Sequence, residues 1–128
     1  ANDVLRGGMG ADQLIGEAGN DLFQFLDISD STPGLGTDLI SGFDGAGAAA
    51  GDRFWLSPID ANTQIDGDQA FVFKGTTAGG TGTIWLSNFG ALTFVYVNND
   101  ADADPDMIIR IDDGAVQASQ YTAADFIL

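Results

Sequence analysis

A nine-residue pattern runs through the first 25 residues of the chain. Two complete copies, residues 7–15 and 16–24, follow the end of an earlier copy without a gap. Aspartate recurs in register at Asp3, Asp12 and Asp21, and an apolar residue stands two positions after each. A glycine-rich linker with scattered acids would not keep this register, whereas a fixed period with a glycine turn before each apolar residue is typical of a parallel β-helix. The repeat therefore predicts short parallel strands joined by tight loops.

The residue types within the repeat indicate a cation site. Glycine adopts positive φ angles that a Cβ atom disfavours, so the loop can turn sharply and direct backbone carbonyls inward. Aspartate adds negative charge to those carbonyls. Carbonyl and carboxylate oxygens are the ligands that Ca²⁺ prefers, usually about six to eight per ion. Because two repeats form one coil, Asp3 and Asp21, which are 18 positions apart, are expected to share an ion.

This segment resembles the RTX nonapeptide region of bacterial proteins exported by type I secretion. In that family an ion lies between stacked loops and is bound by carbonyls of both loops together with the repeat aspartates. The resemblance implies a first calcium site formed by Ala1, Asp3, Gly16, Ala18 and Asp21. It implies a second site formed by Gly8, Gly10 and Asp12 and completed by Phe25, Asp27 and Asp30, because Asp30 follows Asp12 by 18 positions.

The rest of the chain resembles the serralysin-type C-terminal domain that follows RTX repeats in secreted bacterial proteases. The matching segments are residues 38–43, 51–57, 59–63, 67–73 and 124–128. Together the two resemblances predict an all-β fold, in which a short parallel β-roll (residues 1–30) continues into an antiparallel β-sandwich-like C-terminal domain (residues 31–128). Trp55 stands where relatives often carry aspartate, so a ligand role is not expected there.

Apolar, β-branched and aromatic segments predict the strands after the repeats. They are residues 37–44, 51–57, 67–75, 83–88, 92–97 and 107–111. Ser57 followed by Pro58 predicts the start of a short helix. Thr122 is expected to cap a single helical turn before a final strand at residues 126–128.

The charge balance limits the partners of the chain. Nineteen acidic and four basic residues give a net charge of −15, which disfavours nucleic acid and anionic membranes as partners. The hydrophobic content of 45% is too high for a disordered chain. The sequence contains no apolar run of about 18 residues, so it does not predict a membrane-spanning helix. We expect a monomer in which bound calcium offsets the repulsion between acids.

Enzymatic activity is not predicted. The sequence contains neither histidine nor cysteine, which excludes a zinc-protease helix motif, a histidine-based triad and a cysteine nucleophile. Paired carboxylates alone can hydrolyse glycosides, but acids are so abundant here that a pair carries little information. The chain begins inside a repeat, so we expect it to be the C-terminal part of a longer protein whose catalytic domain would lie upstream of Ala1.

Several further acids have two readings. The family resemblance suggests that Asp38 closes a calcium site at the end of the roll, while Asp52 is either a ligand or a cap at a strand end. The acidic run at residues 98–106 has the alternating spacing of an EF-hand loop, but Pro105 stands where that loop needs glycine. A solvated hairpin loop between two strands is therefore the favoured interpretation.

The last four residues, Asp125, Phe126, Ile127 and Leu128, resemble the uncleaved export signal of type I substrates. This resemblance implies a secreted, extracellular protein whose partner is the type I secretion apparatus. Deletion of the four residues is then expected to abolish export and to leave calcium binding nearly intact. An alternative function is a module that binds an extracellular polysaccharide. Its sugar-binding face would contain the aromatic residues Trp55, Trp85, Phe89 and Tyr96. The other interpretation of these residues is that they pack in the core.

Overall fold

The structure is a computed structural model that describes all 128 residues. In chain order the strands are β1 (Val4–Leu5), β2 (Gln13–Ile15), β3 (Leu22–Gln24), β4 (Asp38–Ser41), β5 (Arg53–Trp55), β6 (Val72–Phe73), β7 (Thr83–Phe89), β8 (Leu92–Asn98), β9 (Met107–Asp112) and β10 (Phe126–Ile127). Three short 3-10 helices cover Ile28–Ser31, Ala118–Gln120 and Ala123–Asp125. None of them has the length or the apolar content needed to cross a bilayer.

Two sheets face each other. The four-stranded sheet has the order β1-β3-β5-β10, and all of its pairs are parallel. The six-stranded sheet has the order β2-β4-β9-β8-β7-β6. Successive strands from β1 to β5 alternate between the two sheets, which is the winding of a parallel roll. The antiparallel pairs are β7 with β8 and β8 with β9. The predicted all-β fold, a parallel roll that continues into antiparallel strands, is confirmed.

The roll extends beyond the boundary predicted at residue 30. Strand β2 pairs with β4, and β3 pairs with β5, so both sheets cross that boundary. Strands β9 and β10 then add parallel pairs to β4 and β5. Residues 1–30 and 31–128 therefore share both sheets, because strand pairing continues after the nine-residue spacing has been lost.

A row of apolar side chains across the four-stranded sheet forms one wall of the core. Leu5, Phe23, Phe54 and Phe126 occupy equivalent positions on neighbouring strands. The ring centroids of Phe23 and Phe54 are 5.8 Å apart, and those of Phe54 and Phe126 are 5.3 Å apart. Aromatic pairs at such distances add to the stabilisation from buried area. The row therefore joins the first repeats to the last strand.

The opposite wall comes from the inner face of the six-stranded sheet. Its buried side chains include Leu14, Ile40, Ile84, Leu86, Val95, Val97, Met107, Ile109 and Ile111. They alternate with outward-facing residues along each strand, as expected for a sheet that buries one face. The predicted strands at residues 83–88, 92–97 and 107–111 are confirmed, whereas the strand expected at residues 67–75 is reduced to β6.

The two predicted helix caps have different outcomes. Thr122 caps the 3-10 helix Ala123–Asp125 by accepting a hydrogen bond from the backbone N–H of Ala124 at 3.2 Å, so this prediction is confirmed. No helix begins at Ser57. The chain there forms a turn closed by a bond from the Ile59 N–H to the Leu56 carbonyl, because the side chain of Ile59 is buried in the core.

Replacement of Phe54 by alanine should strongly destabilise the fold. Its side chain is 0% exposed and touches the rings of Phe23, Phe43 and Phe126. A buried phenylalanine replaced by alanine costs about 3–5 kcal/mol. Phe89→Ala, at a side chain that is 66% exposed, is the matched control and should cost about 1 kcal/mol or less. Denaturant unfolding followed by tryptophan fluorescence measures both losses, and equal losses would contradict this description of the core.

Candidate metal centre

Aspartates of successive coils stack and are joined by hydrogen bonds. The Asp3 N–H donates to Asp21 Oδ1 at 2.7 Å, and the Asp21 N–H donates to Asp52 Oδ1 at 2.7 Å. In the other line of loops the Asp12 N–H donates to Asp38 Oδ1 at 2.8 Å. In each of these pairs, the carboxylate of the later aspartate accepts a hydrogen bond from the backbone N–H of the aspartate one coil earlier. We call these five residues the aspartate ladder.

Three ladder side chains keep one oxygen without a partner. Asp12 Oδ2, Asp21 Oδ2 and Asp38 Oδ2 are buried and have no hydrogen bond. Burial of a polar atom without a partner is unfavourable, and nearly all buried polar atoms in proteins are paired. Each of these oxygens therefore has unused capacity to bind a cation.

Glycines make room for these oxygens. A Cβ atom on Gly7 would lie 2.6 Å from Asp12 Oδ2. A Cβ atom on Gly16 would lie 3.1 Å from Asp21 Oδ2 and 3.2 Å from Asp52 Oδ2. The first glycine of each repeat is therefore the position that the following aspartate faces, and a side chain there would fill the space inside the loop.

The loop conformation itself repeats. The second repeat position has a positive φ in both complete copies, 85° at Gly8 and 63° at Glu17. The fourth position, Gly10 and Gly19, also has positive φ. Glu17 is the only residue other than glycine with positive φ, so the stacking of the coils maintains this conformation where the side chain disfavours it.

The residues of the first predicted site lie together. The Ala1 amino group donates to the Ala18 carbonyl at 2.8 Å, and the Asp3 N–H donates to Asp21. Gly16 faces Asp21 Oδ2 as described above. The expected stacking of Asp3 on Asp21 is confirmed, and the assignment of Ala1, Asp3, Gly16, Ala18 and Asp21 as calcium ligands stays a prediction.

The closing loop of the second predicted site differs in register from the expected one, and the assignment of Gly8, Gly10, Asp12, Phe25, Asp27 and Asp30 as calcium ligands stays a prediction. Asp38 lies opposite Asp12, 26 positions along the chain, so the coil contains eight residues more than two repeats. Asp27 and Asp30 instead form the capping box of the 3-10 helix Ile28–Ser31. Asp27 Oδ1 accepts from the Ser29 N–H at 2.9 Å, and Asp30 Oδ2 accepts from the Leu26 N–H at 2.8 Å. The extra residues of this helix displace Asp30 from the position opposite Asp12.

Asp38 combines burial with nearby negative charge. Its backbone N–H donates to Ser31 Oγ at 2.8 Å, which holds the start of β4 against the 3-10 helix. Burial, followed by the charges of Asp12 and Asp30, raises the pKa of the Asp38 carboxyl to about 6. A site that disfavours the ionised carboxylate in this way gains most from a bound cation.

Asp52 extends the ladder by one further coil, a role that the sequence left open. It is buried, Oδ1 accepts from the Asp21 N–H, and Oδ2 accepts from the Asp44 N–H at 2.8 Å. Burial raises the pKa of its carboxyl. Asp52 follows Asp21 by 31 positions, so counting by 18 cannot locate it. The available signal is local: a glycine and an aspartate precede the apolar strand β5, as in each repeat.

Backbone carbonyls would have to supply most ligands in these loops. No group of three or more Asp, Glu, His or Cys side chains converges on one point in the chain. The free carboxylate oxygens of Asp12, Asp21 and Asp38, in loops of glycine-rich backbone, suit a cation that accepts carbonyl ligands, and Ca²⁺ is such a cation. The donor set therefore fits calcium better than a metal that selects nitrogen or sulfur ligands.

The acidic run at residues 98–106 is the connection between β8 and β9. The carboxylates of Asp100 and Asp102 accept from backbone N–H groups two residues later, at 3.0 and 2.9 Å, and Asp106 accepts from the Asn99 N–H at 2.8 Å. Residues 101–104 are exposed. These local turns agree with the solvated hairpin loop predicted for this segment.

The predicted export signal is part of the folded core. Asp125 and Phe126 are buried, while Ile127 and Leu128 are half-buried. Phe126 and Ile127 form β10, which pairs with β5 at the end of the four-stranded sheet.

Acidification should stabilise the calcium-free protein. The raised pKa values of Asp38 and Asp52 mean that the folded state binds protons more tightly than the unfolded state. The free energy of unfolding therefore rises as the pH falls from about 7 to about 4. Asp38→Asn should reduce this dependence, whereas Asp68→Asn, at an exposed side chain, changes the net charge equally and should leave it largely intact. Far-UV circular dichroism in chelator at several pH values measures the folded fraction of each variant, and an equal pH dependence for the two variants would contradict this prediction.

Solved structures that are similar to this chain include two subunits of a mannuronan C5-epimerase from Azotobacter vinelandii. The AlgE6R2 subunit has a TM-score of 0.63 and 22% identity, with 99% of this chain and 71% of that chain covered. The AlgE6R3 subunit has a TM-score of 0.62 and 22% identity, with 98% of this chain and 62% of that chain covered, so this chain spans less than two thirds of that subunit. At these identities the likeness concerns the fold.

Comparison with the curated proteins gives no match. The family described as Peptidase M10 serralysin C terminal matches residues 2–128, which is nearly the whole chain. The matched part is an RTX-type C-terminal module and not a catalytic domain. On this evidence, together with the parallel roll and its aspartate ladder, the chain belongs to the serralysin C-terminal family of peptidase M10.

Proposed function

We propose that this module folds when calcium binds and that it directs the type I secretion of the protein that carries it. The observation that carries the proposal is the aspartate ladder, in which buried carboxylate oxygens without partners face glycine loops. Calcium would be held by Asp3 and Asp21 with the carbonyls of Ala1, Gly16 and Ala18. In the other line of loops it would be held by Asp12 and Asp38 with the carbonyls of Gly8 and Gly10.

Electrostatics opposes the fold without a cation. The net charge is −15, and the ladder brings carboxylates of neighbouring coils into contact with each other's backbone. A cation that binds only the folded state stabilises it by mass action. The ion supplies positive charge at the buried oxygens, and the protein supplies the stacked loops that hold those oxygens in place. Calcium and folding are therefore coupled.

This coupling suits a protein that crosses a bacterial envelope. In a cytosol poor in calcium, the repelling aspartates would keep the chain loose. Outside the cell, sites with affinities of about 10⁻⁴ to 10⁻³ M can fill. The module would then fold after export, with calcium ordering the roll from its C-terminal side.

A calcium titration followed by far-UV circular dichroism and tryptophan fluorescence tests the coupling. Calcium should produce a cooperative gain of β structure, and magnesium should not, because it requires a stricter octahedral geometry. Asp21→Asn should raise the calcium midpoint at least about tenfold, since Asp21 bonds to both neighbouring coils. Asp68→Asn is the control with the same change in charge. Wild-type protein that is fully folded in chelator would contradict the proposal.

We propose a second function for the outer face of the six-stranded sheet, namely binding of an extracellular polysaccharide. Phe89, Phe94 and Tyr96 lie on this face, with ring centroids 5.1 and 6.1 Å apart, and Phe89 is exposed. Arg110 pairs in register with Phe94, and its guanidinium donates to the Thr37 carbonyl at 3.0 Å, just before β4. The similar subunits belong to an enzyme named for mannuronan, a polymer of sugar acids.

The burial of the four aromatic residues predicted to bind sugar reduces the number that can contact a ligand. Trp85 is only 8% exposed and stacks on Tyr96 at 5.5 Å, and Trp55 is half-buried on the other sheet. Contact with sugar rings is therefore assigned to Phe89 and Phe94. The rings of Trp85 and Tyr96 are assigned to the support of that surface.

Calorimetric titration with mannuronan oligomers in calcium tests the second function. Phe89→Ala should weaken binding at least about fivefold, which corresponds to about 1 kcal/mol. Ile65→Ala, at another exposed apolar residue, is the control and should not change the affinity. Equal affinity of the wild type and Phe89→Ala would rule out this surface.

A further inference from the structure

The C-terminal tail, Asp125–Leu128, is bonded to the loop that precedes Asp52. Both carboxylate oxygens of Asp125 accept from the Gly47 N–H, at 2.8 and 2.9 Å, and Oδ2 also accepts from the Thr122 N–H at 2.7 Å. Asp125 is 0% exposed. A buried carboxylate with three hydrogen-bond contacts to backbone N–H groups fixes those groups strongly. The middle of the loop at residues 42–51 is therefore attached to the tail.

The same loop is packed closely on the segment before the tail. Gly47 has a φ of 77°, and a Cβ atom there would collide with the Gln120 carbonyl oxygen. At its far end the loop closes with a bond from the Asp52 N–H to the Asp44 carbonyl at 2.9 Å. The loop thus has two attachments, one to the tail at Gly47 and one at Asp52 itself.

The tail also holds the strand that follows Asp52. Phe126 pairs with Phe54 and Ile127 with Trp55, and the Leu56 N–H donates to the Ile127 carbonyl at 2.9 Å. The ring of Phe126 lies 5.3 Å from that of Phe54. Asp52 is therefore fixed by the tail on both sides, through the loop before it and through β5 after it.

We infer that the C-terminal tail positions Asp52 for the last step of the aspartate ladder, and that this position buries the residues proposed as the export signal. The inference rests on the proposed function. It corrects the expectation that deletion of the tail leaves calcium binding nearly intact, because Asp52 accepts from the Asp21 N–H only while β5 and its loop are in place. The tail is accessible to a transporter before the roll forms and inaccessible afterwards.

Amide hydrogen exchange in saturating calcium tests the positioning role on the full chain. Asp125→Ala should increase exchange of the Asp21 N–H, which donates to Asp52, at least about tenfold more than exchange of the Asp12 N–H, which donates to Asp38. Leu128→Ala, at a half-buried residue that follows β10 and pairs with no strand, is the control and should change neither. Equal effects of Asp125→Ala on the two amides, or no effect, would overturn the inference.

A second variant covers the case in which Asp125→Ala does not fold. Gly47→Ala disrupts the same contact from the loop side, because its Cβ atom meets Gln120, and leaves the tail residues unchanged. It should give the same selective exchange at Asp21. Unchanged protection of the Asp21 N–H in Gly47→Ala would overturn the inference.

Digestion with a carboxypeptidase tests the burial of the tail. Removal of Leu128, Ile127 and Phe126, followed by mass spectrometry, should be at least about tenfold slower in calcium than in chelator. Equal rates in a wild-type chain that still folds with calcium would overturn the burial of the signal. A wild-type chain with no response to calcium by circular dichroism would instead refute the proposed function, so the two failures are distinguishable.

Discussion

The hydrogen bond from the backbone of one aspartate to the carboxylate of the next supports most of this structure. It occurs between Asp3 and Asp21, between Asp21 and Asp52, and between Asp12 and Asp38. Because it joins backbone to side chain, it sets the distance and the register between coils at the point where each strand begins. The strands are two to four residues long, and their own backbone hydrogen bonds are too few to hold that register.

The ladder and the core make opposite demands on the chain. The ladder collects negative charge at the loops, whereas the row of phenylalanines from Phe23 to Phe126 draws the same strands together. Without neutralisation, repulsion between the carboxylates lowers the free energy of unfolding that the core provides. Neutralisation of the charge in the loops therefore favours the folded state.

The sequence predicts the features that depend on uninterrupted spacing. The stacking of Asp3 on Asp21 follows from two adjacent repeats, and the meander of β7, β8 and β9 follows from alternating apolar residues. Asp38 could not be placed opposite Asp12 by counting, because an insertion that includes a four-residue 3-10 helix lengthens that coil by eight residues. The nine-residue period before an insertion gives no information about the length of that insertion.

The contacts of Asp125 could not be predicted from the sequence for a different reason. Its partner, Gly47, is 78 positions away in a loop of small residues that carries no pattern. An acidic residue before a short apolar segment is equally consistent with an exposed signal and with a capped strand. Only the pairing of β10 with β5 distinguishes the two, and long-range parallel pairing is the feature that local sequence specifies least.

The two ends of the roll differ. Strand β10 lies at one edge of the four-stranded sheet, while β1 and β2 are edge strands at the other end of the roll. There the backbone groups of β1 and β2 are free to pair, and Val4 and Met9 are exposed. A further coil could stack on that end without altering any contact of Asp52 or Asp125. The roll can therefore gain a coil at this end while the attachment of Asp52 to the C-terminal tail stays in place.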